Sequence, residues 1–255
     1  MFIIWGSKTV YRKLGYVAHF CEICRAPKPF ELKRVGSVGH LYYISFGQGE
    51  LLGYERTCQD CGTTLQADVE EFAAVAPQVL PISDLIRQTY PRLEQVVGAR
   101  LALEAQLRRN PAALSADERH VLIRNPFVLM SARVDARFAR IHIDRGIGLA
   151  LAGAVALVLF APMLVLKVAP GTDIGAWLLS FLVIGFGAII WQIMASRPRY
   201  VRREVLPLLD KSLRPLHPTQ PELEAVVREL AGLKSRLARR IDVAELYARV
   251  SRAAA

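Results

Sequence analysis

Charge is missing from two long stretches of this chain, and the rest of the sequence is arranged around that gap. Ile147 to Leu166 and Ile174 to Ser196 contain no Asp, Glu, Lys, Arg or His. At 1.5 Å per residue each reaches across a hydrocarbon core of roughly 30 Å as a helix. A core helix of a soluble protein keeps a polar stripe, whereas these two are apolar on every side, so the pair reads as a transmembrane hairpin. Only Lys167 to Asp173, with Pro170 and Gly171, separates them. The absence of an ionisable group inside either run argues against a transporter or channel built from a single copy, because proton relays and ion pathways place one there. Catalytic signatures are missing too: there is no nucleophile elbow, P-loop, dinucleotide glycine fingerprint or HExxH. Gly36-Ser37-Val38-Gly39-His40 imitates a glycine loop but joins two expected strands and opens no helix. His40, His120, His142 and His217 are scattered, and Asp117-Glu118 is accounted for by helix capping. An enzyme reading has no residues to rest on.

Acidic charge is scarce around the hairpin. Of a net charge of +10, eight units lie on the two flanks, 119–145 and 197–214. Arg133, Arg137, Arg140 and Arg145 precede the first span; Arg197, Arg199, Arg202 and Arg203 follow the second; the connecting turn carries only Lys167. Cationic flanks stay on the cytoplasmic side, so both termini are expected there, in a bacterial inner membrane crossed twice. Trp177 and Trp191 suit the two interfaces. The opening Met1-Phe2-Ile3-Ile4-Trp5 lacks a basic n-region and is too short for a signal h-region, so the first span is expected to direct insertion.

The four cysteines fall in two pairs, Cys21-Glu22-Ile23-Cys24 and Cys58-Gln59-Asp60-Cys61. Two intervening residues let both sulfurs of a turn face one ion, and two such turns complete a tetrahedral shell of thiolates. On the reducing side of the membrane, disulfides are disfavoured and metal coordination is favoured. A redox pair would need only one C-x-x-C, before a helix of a βαβ unit. A rubredoxin-like iron site stays open behind zinc. Arg25, Lys28 and Arg56 are candidate neutralisers of the thiolate charge, and Gly62 suits a turn with positive φ, a role less natural for Arg25. His19, close to Cys21, reads as an ordinary strand or loop histidine beside four available thiolates.

Residues 1 to about 66 read as a β-meander: Phe30 and Leu32, Leu41 to Phe46, and Leu51 to Thr57 are β-prone runs punctuated by Gly36, Gly39, Gly47 and Gly49. A domain this small needs a staple, which the metal would supply. Met1-Phe2-Ile3-Ile4-Trp5-Gly6, Thr9-Val10, Leu14-Gly15-Tyr16, the first cysteine pair, Phe30-Glu31-Leu32, the aromatic-rich Leu41 to Phe46 and the second pair with Gly62 together resemble the bacterial N-terminal zinc-ribbon family. That resemblance covers about the first quarter of the chain. It implies a strand ahead of the knuckles and a four-cysteine zinc ribbon, and it implies no reaction.

Beyond residue 66 the pattern is helical. Asp68 to Ala76 reads as a short helix ended by Pro77 and Pro81, and Ser83 with Asp84 as caps of a helix interrupted by Pro91. Ile82, Ile86, Leu93, Val96, Leu103 and Leu107 form a 4-3 seam with Thr89 and Arg100 as polar exceptions. Ser115 to Glu118 and Thr219 to Glu222 are capping boxes, Asn125-Pro126 reads as a helix start, and Asp242 with Glu245 as the start of the last helix. Phe127, Met130, Val134, Phe138 and Ile141 share one face, with Arg133, Arg137 and Arg140 on another, as in a helix lying on anionic headgroups. Gly148, Ala152 and Ala156 on the first span, and Gly185 and Ala188 on the second, offer smooth surfaces for helix contact.

The expected fold class is α+β: a small β zinc ribbon (1–66), cytoplasmic helices with a basic juxtamembrane segment (67–145), a transmembrane hairpin (146–196) and a cytoplasmic helical tail (197–255). The expected site is Cys21, Cys24, Cys58 and Cys61 around one structural Zn²⁺. The expected role is a non-enzymatic, membrane-anchored adaptor or assembly module whose partners are the lipid bilayer and a protein, with Tyr42 and Tyr54 as interface candidates and self-association allowed. A membrane-tethered redox or metal-sensing centre is the alternative. Nucleic acid is disfavoured: residues 1–65 carry only +3, or about +1 once four thiolates and a zinc ion are counted.

Overall fold

The computed structural model describes residues 5–41, 44–45, 49–110, 114–139, 145–168 and 174–252. Met1 to Ile4, Tyr42, Tyr43, Phe46 to Gln48, Arg140, Ile141, His142 and the turn at Pro170-Gly171 lie outside them. The chain forms two compact units, Met1–Pro126 with Lys211–His217, and Phe127–Asp210 with Pro218–Ala253.

The first unit is built on an antiparallel sheet. Strands β1 (Trp5–Cys21) and β2 (Ala26–Leu41) form one long hairpin, paired from Trp5↔Leu41 to Cys21↔Ala26. After the short β3 (Ile44–Ser45), β4 (Glu50–Cys58) adds to the other side of β2 and β5 (Thr64–Ala67) pairs with β4, giving the order β1-β2-β4-β5. The expected short runs are thus longer strands. Gly36 and Gly39 sit inside β2, opposite Val10 and Ser7, and the GSVGH stretch is strand rather than loop. Strand β1 pairs with both glycines and β4 with Gly36 as well, which holds them extended; the bulge beside Gly36 puts its extra residue, Leu52, on β4, next to Gly53 at φ 149°.

Residues 68–76 depart from the sequence expectation for a related reason. Only Val69–Glu71 makes a single 3-10 turn, capped by Asp68. The chain then extends along the outer edge of β1: Tyr16 N–H donates to Ala76 O at 2.7 Å and Ala76 N–H to Tyr16 O at 2.9 Å. The edge of β1 thus takes the Ala76 amide, in an isolated bridge at Tyr16. Gly15 makes the approach possible. Its φ is +152°, and a Cβ there would lie 2.4 Å from Ala76 O.

Helix α1 (Ile82–Thr89) begins before the expected caps; Pro81 is its N-cap and Asp84 pairs with Arg87 instead. Pro91 does interrupt the helical run, and α2 (Leu93–Arg109) follows. The seam is rotated from the expected one. Val96 is 64% exposed, while Leu85, Thr89, Leu93, Glu104 and Leu107 are buried. The Thr89 hydroxyl accepts from Ala18 N–H of β1 at 2.9 Å and donates to Leu85 O at 2.7 Å. Thr89→Val keeps the shape but strands a buried β1 amide, so a loss of about 2 kcal/mol is expected in denaturant unfolding. An unchanged midpoint would show that the hydroxyl is dispensable.

Helix α3 (Ala116–Ala139) starts at the expected capping box, with Glu118 N–H donating to Ser115 Oγ at 3.2 Å and Ser115 N–H to Glu118 Oε2 at 2.9 Å. It runs through Asn125-Pro126 without restarting there. Burial of Leu122, Ile123, Phe127 and Met130 offsets the amide that Pro126 lacks.

In the second unit, α4 (Arg145–Val168) and α5 (Ile174–Tyr200) are long and apolar enough to cross a membrane. They pack where Gly185 meets Ala154; a Cβ on Gly185 would lie 3.0 Å from the Ala154 methyl. Ala152, Ala156 and Ala188 of the expected small-residue surfaces stay exposed, because the contact stripe runs through Ala154 and Gly185. A π-helical turn, Val201–Val205, carries α5 into α6 (Leu206–Leu213), so Pro207 does not end the helix. Helix α7 (Gln220–Gly232) has the expected box, Thr219 N–H donating to Glu222 Oε2 at 2.7 Å. Asp242 caps α8 (Val243–Arg252) through Ala244 N–H at 3.0 Å.

Candidate metal centre

Each cysteine pair begins at the last residue of a strand. Cys21 ends β1 and Cys58 ends β4, and the register Phe30↔Cys58 beside Cys21↔Ala26 puts both turns at one end of the sheet. The first turn is anchored by the buried Ile23 and by Cys24 N–H, which points at Cys21 Sγ at 3.4 Å. The second closes with Gly62 N–H donating to Cys58 O at 2.9 Å, and Gln59 N–H ties it to Pro29 O at 3.0 Å. The four sulfurs lie within 4.8 Å of one another. Cys21 and Cys61 Sγ are 3.6 Å apart, Cys24 and Cys58 Sγ 4.0 Å. Thiolates 2.3 Å from a tetrahedral ion define edges of about 3.8 Å. The four residues expected from the sequence therefore converge as a possible single metal site.

The thiols do not titrate separately. Cys21 is pushed up, chiefly through its bond to Cys24, while Cys58 is lowered to about 7 and Cys61 is lowered further, each chiefly by Cys21. The cluster thus favours thiolate character at Cys61, and thiolate is the form that binds metal.

Of the three candidate neutralisers, only Lys28 feels the sulfurs. Its ammonium is held above its ordinary pKa first by Asp60 and then by Cys24 and Cys58. Arg56 is turned to Glu71 at 3.5 Å. Arg25 is turned away as well, into a buried cluster that the sequence reading missed. Its Nε donates to Glu104 Oε2 at 2.8 Å and its Nη1 to Ser212 O at 3.2 Å. Arg100 lies between Glu104 (3.1 Å) and Glu22 (2.9 Å), close to both carboxylates but not aligned for hydrogen bonds. The only signal for this in the sequence is Arg100 and Glu104, one turn apart on a helix with an apolar seam.

Both knuckles place the residue after the second cysteine at positive φ, 55° at Arg25 and 68° at Gly62. Gly62 does so freely, whereas Arg25 is held there by its buried partners. His19 stands apart from the sulfurs. Its ring packs against Phe30, Phe72 and Tyr90, its Nδ1–H donates to Phe20 O at 3.0 Å, and burial lowers its pKa. Of the other histidines, His40 belongs to β2, His120 is exposed on α3, and His217 takes φ 44° after the 3-10 turn Arg214–Leu216.

Compared with protein-family models, curated proteins and solved structures, the chain shows no match. A four-cysteine cluster on an antiparallel sheet, consistent with a zinc ribbon, stands on the geometry alone.

Proposed function

We propose that this protein is a membrane-anchored, non-enzymatic zinc-ribbon module, in which one structural Zn²⁺ on Cys21, Cys24, Cys58 and Cys61 fixes a cytoplasmic head that binds a protein partner as an adaptor or assembly factor. The observation that carries the reading is the convergence of four sulfurs within 4.8 Å. Four thiolates close a tetrahedral shell and leave no position for a substrate or activated water, which is the pattern of a structural ion. Thiolates and tetrahedral geometry suit zinc, and a reducing compartment keeps the sulfurs free to bind it.

The anchor follows from exposure. Leu149 (74% exposed), Phe186 (67%) and Trp191 (71%) project from α4 and α5 largely uncovered by the described residues. In water such faces would aggregate, and in lipid they are at home. The arginines at the start of α4 and the end of α5 keep those ends cytoplasmic, in the inner membrane.

Reporters fused to the amino and carboxyl ends are expected to be active on the cytoplasmic side, while one inserted after Val168 is active on the periplasmic side. An amino-terminal reporter active only in the periplasm would overturn the topology. In the cytoplasmic orientation, zinc is expected at one equivalent and to be retained through mild oxidation. Its reversible release by oxidant would make the centre a sensor instead. Crosslinking from the ribbon in native membranes identifies the partner.

A further inference from the structure

At the end of α4 and α5 where the apolar runs give way to arginine, the second unit contains a cavity of about 700 Å³. Five guanidinium groups line it, Arg137 from α3, Arg145 from α4, Arg197 and Arg199 from α5, and Arg203 from the π-helical turn. Among the described residues the one carboxylate in the lining is Glu204, and it faces Arg133 at 3.7 Å. Among the described residues, Arg137, Arg145, Arg197 and Arg203 have no carboxylate partner.

Two of these cations rest on rings instead. The Arg137 guanidinium lies 5.3 Å from the Tyr200 ring and that of Arg197 5.6 Å from Phe138. A ring face holds a guanidinium in place without consuming its N–H donors, so those donors stay available for an oxyanion. Arg199 is fixed more firmly, by Nη1 to Gln192 Oε1 at 2.6 Å and Nη2 to Gln192 O at 3.2 Å. It crosses the first turn of α4 at Gly146, where a Cβ would lie 2.9 Å from both Nη atoms. Five like charges gathered around one space repel each other unless an anion sits among them.

The rest of the lining states what kind of anion. Ile147, Leu149 and Ile193 border the same cavity and continue into the apolar surfaces of α4 and α5. A ligand that places phosphate oxygens among the arginines and hydrocarbon along these side chains satisfies both halves; free phosphate satisfies only one. We infer that this cavity is a binding site for the phosphate headgroup of an anionic glycerophospholipid, with its acyl chains running along α4 and α5. Arginine forks match phosphate oxygens in pairs, and basic pockets beside membrane helices on the cytoplasmic face suit such headgroups. The inference rests on the membrane reading above and adds to it a specific, saturable lipid.

The test uses the full chain in detergent micelles, titrated with phosphatidylglycerol or phosphatidylcholine, with bound lipid counted by native mass spectrometry. Wild type is expected to bind one phosphatidylglycerol in preference to phosphatidylcholine. The triple variant R145Q/R197Q/R203Q is expected to bind it on the order of a hundredfold more weakly, about fivefold for each charge removed. The variant R87Q/R109Q/R228Q removes the same charge elsewhere and is expected to stay within about twofold of wild type. Equal binding of the two lipids, or an equal loss in the control variant, overturns the site. So does displacement of the lipid by equimolar inorganic phosphate or a short oligonucleotide, which would mark a general polyanion patch. Alkaline carbonate extraction of native membranes separates the two levels: a wild type that resists extraction but shows no lipid preference fails this inference alone, whereas one that is extracted overturns the anchor as well.

Discussion

Cys21→Ser and Cys58→Ser are each expected to unfold the sheet of residues 5–67 while leaving membrane insertion intact. The magnitudes make this the largest effect in the molecule. A structural zinc ion contributes on the order of 10 kcal/mol or more of apparent folding free energy to a small domain, and whole domains are stable by only about 5–15 kcal/mol. The two cysteines end different strands, β1 and β4, so either substitution opens one knuckle and leaves the ion three thiolates. Amide hydrogen exchange at Ala18, Phe30 and Leu32 reads the sheet, zinc content reads the site, and carbonate extraction reads the anchor. Chelation of the wild-type protein should reproduce the exchange pattern. A variant that keeps protected amides and a full equivalent of zinc would remove the cysteines from the account of the fold.

Where the sequence was legible, the signal was local and chemically narrow. Two C-x-x-C pairs admit few arrangements, and the sulfurs of all four residues converge. Two uncharged runs became α4 and α5, with ends within a few residues of those expected. Both capping boxes formed, because a side chain reaching back to its own helix end needs nothing from the rest of the chain. The failures share the opposite character. Residues 73–76 are amphipathic enough for a helix, yet Tyr16 O on the open edge of β1 takes the amide of Ala76 and Thr89 O that of Ala73. Gly36 and Gly39 look like breaks, yet the partner strands hold them in line. Asn125-Pro126 looks like a helix start, yet apolar burial on both sides carries α3 through it. In each case a long-range partner outweighed the local preference, and such partners are not visible in a window of sequence.

The polar residues buried in the observed α1–α2 seam, Thr89 and Glu104, belong to the same class, and Glu104 yields the second large effect. Glu104→Ala is expected to destabilise the first unit by about 3–5 kcal/mol, because it leaves buried cations without their countercharge. Glu104 is 3% exposed and Arg25 4%, and Arg25 carries its knuckle turn at φ 55°. Burial pulls the Arg25 pKa down against the pull of Glu104, and because the guanidinium stays charged the carboxylate is the countercharge that holds it in place. Arg25→Ala should also destabilise, since it leaves Glu104 with Arg100 alone while keeping an unfavourable backbone angle. Arg25→Gly loses the same ion pair but relieves the angle, and should recover about 1 kcal/mol relative to Arg25→Ala. The expected order of stability is therefore wild type, Arg25→Gly, Arg25→Ala, Glu104→Ala, read from guanidinium chloride midpoints with zinc present. Because the pair braces the turn between Cys24 and β2, zinc transfer to a chelator should quicken in the same order. An Arg25→Gly variant less stable than Arg25→Ala would mean that the backbone angle is no burden. A Glu104→Ala variant that releases zinc at the wild-type rate would separate the ion cluster from the knuckle it adjoins.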